Sequence, residues 1–326
     1  MSDYKTLKGL YIKHVSSDPS NLIAGQIWYN TTTQTLKTAP LIEAWGSGGN
    51  INTAREGQAS AQAAPATTGW IAGGRASPSP GGGVDNSEEY NGTAWTEGDN
   101  LTTARSAVGG AGTLTAGLVF GGTTGANNPT DDVEEYDGTS WTEVNNVTTA
   151  RQGMRGCGTQ TAALGFGAYN PDTPERTEEY DGTNWTEGGS HPTAFYWGGY
   201  AGIQTAALAF GGSTPDKDMT FAYDGSSWTQ GGNMSNSARN ASGASGFTQA
   251  TALVFGGSEP GVIAVTEAYD GSAWSTKSNM GTARYRHGGF GSGTDATAAG
   301  GYTGSTNVVT TEEWSGTVTA RTVDTT

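Results

Sequence analysis

Several things are scarce in this chain, and each scarcity excludes something. Cys157 is its single cysteine, so no intrachain disulfide can form. The three histidines, His14, His191 and His287, lie in separate stretches and offer little to a metal centre. Charged residues make up 14% of the 326 residues, below the ~25% usual for soluble domains. Positive charge is scarcest, with 16 Lys and Arg against 31 Asp and Glu and a net charge of −15. Such a surface repels phosphate backbones, and no Lys/Arg cluster offsets it, so no nucleic-acid partner is expected. No apolar run reaches the ~18 residues of a membrane-spanning helix, so no membrane insertion is expected. Met1 to Ser20 holds no apolar core of the signal-peptide kind, so classical secretion is not expected and folding in a cytosol is.

Glycine and aromatic residues are abundant. The chain has 53 Gly, 10 Trp, 13 Tyr and 8 Phe. Gly and Pro together stay below the level that signals disorder, and each aromatic buries a large area. The composition is that of a folded, turn-rich β protein.

One stretch keeps returning. Glu134-Glu-Tyr-Asp-Gly-Thr-Ser-Trp141 reappears at Glu178 to Trp185, and in altered form at Glu88 to Trp95, Phe221 to Trp228 and Glu267 to Trp274. Each copy reads as a hairpin closed by a tight two-residue Asp-Gly or Asn-Gly turn, whose central positions both need the positive φ that Gly and Asn tolerate best. The Trp positions 45, 95, 141, 185, 228 and 274 are 50, 46, 44, 43 and 46 residues apart. An Arg follows ten residues later at Arg55, Arg105, Arg151 and Arg284; the slot after Trp228 is Arg239, and that after Trp185 holds Phe195. Small residues come next, as in Gly109-Gly-Ala-Gly-Thr113, then an apolar strand closed by glycines, as in Leu118-Val-Phe-Gly-Gly122. Four short strands in roughly 45 residues describe a propeller blade, which cannot bury both faces without neighbours. The Gly/Ala-rich strand is expected innermost, where strands converge, and the aromatics are expected to fill the wider gaps.

The Gly-Gly doublet, the Tyr-Asp before a turn, the Trp five residues after the Tyr and the Arg opening the next unit resemble the kelch repeat family. The resemblance spans residues 41–319 and implies an all-β, six-bladed kelch-like β-propeller with a short N-terminal β-hairpin extension. The hairpin is read from Gly25-Gln-Ile-Trp-Tyr-Asn30 and Thr35-Leu-Lys37. The sixth copy, Glu312-Glu-Trp-Ser-Gly-Thr-Val-Thr319, is broken, with Trp314 in the Tyr slot. Residues 41–46 are expected to complete that last blade by pairing with 310–314, which removes open edges; the alternative is an outer strand from 318–323. Residues 1–40 then form an N-terminal segment, either a hairpin lying against the main domain or a docking segment, and 320–326 a C-terminal tail.

In a kelch-like blade, the loop after the Gly-Gly strand and the loop entering the inner strand share one face. Those after the Gly-Gly strand differ from copy to copy: 75–86, 123–132, 169–176, 213–220, 258–265 and 302–309. Recognition is usually carried on such loops, and unselected drift is the other reading. The candidate binding residues on this face are Arg75, Asn86, Asn127, Asp131, Asp132, Tyr169, Asp172, Asp216, Lys217, Glu259 and Tyr302. The recurring Glu pairs do not suggest catalytic carboxylates, because adjacent strand residues point to opposite faces. One Glu of each pair is expected to meet the repeat Arg. No catalytic residue, metal site or cofactor is expected.

The near-identical units also look like the kelch-like virion proteins of tailed bacteriophages, particularly marine ones. The leader Gly25-Gln-Ile-Trp-Tyr-Asn-Thr-Thr-Thr33 is similar to N-terminal segments of phage tail and fibre proteins. That resemblance implies a non-enzymatic virion component, a tail or fibre protein present in multiple copies and exposed outside the particle. Residues 1–40 would contact other tail or capsid proteins, and the loop face a host-surface glycan or receptor. The alternative is a carbohydrate-active propeller enzyme, a glycan depolymerase using acids such as Asp131, Asp132 or Asp216.

Overall fold

The computed structural model describes residues 12–76, 82–125, 128–169, 174–212, 217–236, 242–258 and 261–323, the side chains of 242–247 excepted. Among these residues there are strands and turns but no helix, gathered into seven four-stranded sheets in a propeller-like all-β architecture. The chain divides into two compact units, residues 45–314 and residues 1–44 with 315–326.

The smaller unit is built on the expected hairpin. β2 (Gln26–Asn30) and β3 (Thr35–Ala39) pair antiparallel, with Asn30 opposite Thr35. The Asn30 Oδ1 accepts the N–H groups of Thr32 and Thr33, and Gln34 closes the loop at a φ of 55°. The hairpin is the middle of a four-stranded sheet, since an isolated two-stranded ribbon is marginal in water. β1 (Lys13–Val15) lies parallel to β2, and β28 (Arg321–Thr322), from the segment read as a tail, pairs with β3. Asp18 accepts hydrogen bonds from the Trp28 indole (3.0 Å) and the Asn30 amide (2.8 Å), which hold its carboxyl below the usual carboxylate value.

The larger unit carries six sheets. Sheet I is β5 (Ala59–Ser60), β6 (Gly69–Ala72), β7 (Ser87–Tyr90) and β8 (Trp95–Glu97). Sheet II is β9 (Gly109–Thr113), β10 (Ala116–Phe120), β11 (Val133–Tyr136) and β12 (Trp141–Val144). Sheet III is β13 (Arg155–Thr159), β14 (Ala162–Phe166), β15 (Thr177–Tyr180) and β16 (Trp185–Glu187). Sheet IV is β17 (Gly199–Ile203), β18 (Ala206–Phe210), β19 (Thr220–Tyr223) and β20 (Trp228–Gln230). Sheet V is β21 (Ser242–Thr248), β22 (Thr251–Phe255), β23 (Thr266–Tyr269) and β24 (Trp274–Thr276). Sheet VI is β25 (Gly288–Gly291), β26 (Ala296–Ala299) and β27 (Thr311–Val318), with β4 (Leu41–Ser47) as its fourth strand. The first strands touch in the order β5, β9, β13, β17, β21, β25, and β25 touches β5.

The Asp-Gly hairpin forms differently from its expected two-residue turn. Tyr136 pairs with Trp141, leaving the four-residue loop 137–140. Only its glycine takes a positive φ, 92° at Gly138. Asp137 Oδ1 instead accepts the N–H groups of Thr139 and Ser140, both at 2.8 Å. The aspartate therefore acts through its side chain, as an Asx turn, and not through a left-handed backbone. Asp181, Asp224 and Asp270 repeat this, and all four carboxyls are held below the usual value by those N–H groups.

Packing between sheets repeats as well. Phe120, Phe166, Phe210 and Phe255 lie 5.0, 5.0, 4.8 and 4.8 Å from Trp185, Trp228, Trp274 and Trp45 of the following sheet. Each such pair contributes ~0.5–1.5 kcal/mol beyond the area it buries. Glycine makes the approach possible, because a Cβ on Gly156 would sit 2.2 Å from the Phe120 ring. The indole N–H of five of these tryptophans donates to a hydroxyl on the third strand of the preceding sheet: Trp45 to Thr266, Trp95 to Thr311, Trp141 to Ser87, Trp228 to Thr177 and Trp274 to Thr220. Val133 occupies that slot before Trp185, and the Trp185 N–H is buried with no partner among the described residues.

Both residues of each Glu pair have structural partners. Glu88, Glu134, Glu178 and Glu312 form buried ion pairs with Arg55, Arg105, Arg151 and Arg284, as expected for one member. Sequence reasoning left the second member without a role. Glu313, Glu89, Glu135 and Glu179 accept from the hydroxyls of Tyr90, Tyr136, Tyr180 and Tyr223 on the next sheet. Burial beside these carboxylates raises the tyrosine pKa values, to about 12 at Tyr223. Sheets IV and V carry Ala222 and Ala268 in the second slot, and the next Tyr position is then Tyr269 or Trp314.

Candidate functional site

The six first strands are made mostly of small residues, and among the described side chains three large ones are buried within them, Arg155, Tyr200 and Phe290, while Ile203 at the end of β17 is exposed. By spacing from the repeat Arg slot, five repeats present Ala59, Gly109, Gly199, Gly243 and Gly288 where sheet III presents Arg155, although a register shift in sheet V pairs Ser242 with Phe255. One position on, Ser60, Gly110, Gly156, Ala244 and Gly289 correspond to Tyr200. Arg155 and Tyr200 are both buried, at 3% and 5% exposure. The third large residue, Phe290, packs against the Tyr90 and Trp95 rings instead.

On the loop side, the residue two after the repeat Arg slot has a positive φ in the five repeats where it is described: Gly57, Ala107, Gly153, Trp197 and Arg286. Their backbones join in series. Gly57 N–H donates to the Arg286 carbonyl, Ala107 N–H to Gly57 and Gly153 N–H to Ala107, each at 2.8 Å. Glycine takes this conformation freely, whereas a tryptophan and an arginine are held there against backbone strain. Sheets IV and VI thus bring Trp197 and Arg286 to one place, with the Arg286 guanidinium 4.4 Å from the Trp197 ring. The Arg155 guanidinium lies 5.5 Å from the same ring and 5.9 Å from Tyr200.

Glu56 accepts from Arg75 at 2.7 Å and lies 3.5 Å from Arg286. Arg155 donates through Nε to the Gly198 carbonyl at 3.0 Å, while its Nη2 is buried without a partner among the described residues. Two aromatic pairs flank the cluster, Tyr169 with Tyr196 at 5.3 Å and Tyr285 with Tyr302 at 5.5 Å. Chemically the arrangement offers guanidinium donors and aromatic faces, suited to a polar or anionic ligand with a flat apolar side.

The structure separates the candidate residues read from sequence. Arg75, Tyr169 and Tyr302 belong to this cluster or its flanks, and Tyr169 is 52% exposed. Asn86 and Asp132 act through their backbone carbonyls, which accept from Arg55 and Arg105 at 2.6 and 2.5 Å. The Asp131 carbonyl accepts the Val147 N–H. Lys217 is half-buried. Asn127, Asp172, Asp216 and Glu259 lie outside the described residues, as does Arg239. Glu56, Arg155, Trp197, Arg286 and Tyr285 were missed; the only signal was a large residue interrupting a run of small ones.

His191 is enclosed by the rings of Phe195, Phe221 and Trp228 at 4.9, 4.5 and 5.0 Å, and burial drops its pKa to about 4. Among the described residues no group of three or more His, Cys, Asp or Glu is placed to hold a metal ion. No protein-family model matches the chain, and no curated protein is significantly similar to it.

Proposed function

We propose that this chain is a non-enzymatic structural protein of a tailed-bacteriophage virion, a tail or tail-fibre component. Its six larger-unit sheets are the blades of a kelch-like propeller that presents the loop face to a host-surface glycan or receptor. Residues 1–40 attach it to other tail or capsid proteins, and several copies decorate the outside of the particle.

The observation that carries this reading is the division into two units. A repeat unit bearing arginine and aromatic side chains on its loop side is joined to a separate small unit that buries Trp28 yet exposes Ile27 on β2 and Ile23 in the loop before it, at 46% and 70%. Exposed apolar residues on a small unit suit a docking surface. The repeat's resemblance to kelch-like virion proteins supplies the particle.

Cross-linking of purified particles tests the attachment: residues 12–40 should cross-link to a tail or capsid protein, and absence of the chain from particles would overturn it. Incubation with host surface polysaccharide tests recognition. Retention without chain shortening supports a binding protein; shortening would replace it with a glycan depolymerase.

A further inference from the structure

The chain is strongly acidic, yet its loop-side centre gathers positive charge. Arg75 and Arg286 share the Glu56 carboxylate, and the Arg286 and Arg155 guanidinium groups both lie against the Trp197 ring. Arg155 is the outlier. Every repeat arginine among Arg55, Arg105, Arg151 and Arg284 has its own glutamate. Arg155 has a carbonyl, two aromatic rings and a buried Nη2 without a partner among the described residues. β21 (Ser242–Thr248) contains no acidic residue. A buried cation without a counter-ion is costly to keep. A second, independent observation falls on the same spot, since Trp197 and Arg286 hold positive-φ conformations at 59° and 53°. Strain of that kind persists where surrounding structure enforces it, and it collects at ligand sites.

We propose that the centre of the loop face is a subsite for the carboxylate of an acidic glycan. The sugar carboxylate pairs with the partly exposed Arg286 and with the Arg155 Nη2 beneath it. Trp197 and the Tyr285–Tyr302 pair supply flat apolar faces for the pyranose ring. Arg75 keeps Glu56 engaged, so that Glu56 does not neutralise Arg286 fully. A uronic-acid residue, which puts a carboxylate on a ring with an apolar face, matches both features. This inference rests on the glycan-recognition reading of the loop face.

The test is calorimetric binding of the full chain to oligogalacturonate, with neutral maltooligosaccharide and inorganic sulfate as comparisons. Oligogalacturonate should bind, and Arg155→Met and Arg286→Gln should each weaken it at least tenfold. Arg155→Met should at the same time raise the melting temperature of the unliganded protein, because it removes an unanswered buried charge. That separates loss of the site from loss of the fold. Oligogalacturonate that fails to bind, or binds Arg155→Met as tightly as the parent, overturns the subsite. Sulfate competing equally well would show an unspecific anion hole and also overturn it. Retention of neutral host glycan, unaltered by Arg155→Met, would overturn the subsite while leaving glycan recognition standing. Failure to retain any host polysaccharide would overturn both.

Discussion

Sheet IV shows how this chain can dispense with a buried ion pair, and copying it into sheet II tests what holds the repeat together. In sheet II, Arg105 donates to Glu134 at 2.9 Å, and Glu134 also accepts the Thr102 N–H at 2.7 Å. The corresponding positions in sheet IV are Phe195, Phe221 and Pro192. Cation, anion and N–H donor are removed together, and the phenylalanines join His191 in one apolar cluster. Arg105→Phe alone would leave a carboxylate buried and unpaired, and Glu134→Phe alone a guanidinium. Each single change should cost ~3–5 kcal/mol. The triple variant Thr102→Pro, Arg105→Phe, Glu134→Phe abandons no charge. The Asp132 carbonyl keeps the Gly121 N–H at 3.0 Å, and each buried ring returns roughly 1.5–3 kcal/mol. It should lie within ~2 kcal/mol of the parent, far from the sum of the singles. Urea unfolding followed by tryptophan fluorescence measures all of them. Additive losses in the triple, or single losses below about 1 kcal/mol, would refute the reasoning.

Val133→Thr should give the orphaned Trp185 indole an acceptor and stabilise the protein by ~1 kcal/mol in the same urea assay; a loss would show that the hydroxyl does not reach. Ala222→Glu should restore the missing acceptor for Tyr269 and add about 1 kcal/mol, a gain that Tyr269→Phe in the same background should cancel. Acid should destabilise the protein early. His191 is buried neutral with its pKa lowered by burial to about 4, so the unfolded chain takes up its proton first as pH falls below about 6.5. Stability is fully present above that pH and declines towards pH 4, by roughly 3 kcal/mol in total from this residue. His287, also depressed by burial, adds in the same direction. His191→Leu, the residue sheet II carries at the equivalent Leu101, should flatten the decline between pH 6.5 and 4; an unchanged slope would assign the effect to other groups.

The repeat was legible because its causes are local or recur at fixed spacing. Glycine-bounded apolar strands, the Tyr and Trp flanking each turn and the Arg ten residues on identify themselves by repetition. The charge rule that buried ions are paired was enough to join one Glu of each pair to that Arg. The turn was misread because Asp-Gly also allows an Asx loop, and strand register decides between the two. The second Glu was missed because its Tyr partner lies on another sheet.

By itself, then, the sequence determined the all-β character, the repeating four-strand unit and the buried Arg–Glu pairs, since these follow from short-range pattern and from the cost of unpaired charge. Only the tertiary structure decided that Arg155, Trp197 and Arg286, single exceptions in three different repeats, meet at one place. Their proximity comes from the first strands of six sheets touching in a closed order, and pattern within any one repeat carries no information about what lies across the centre.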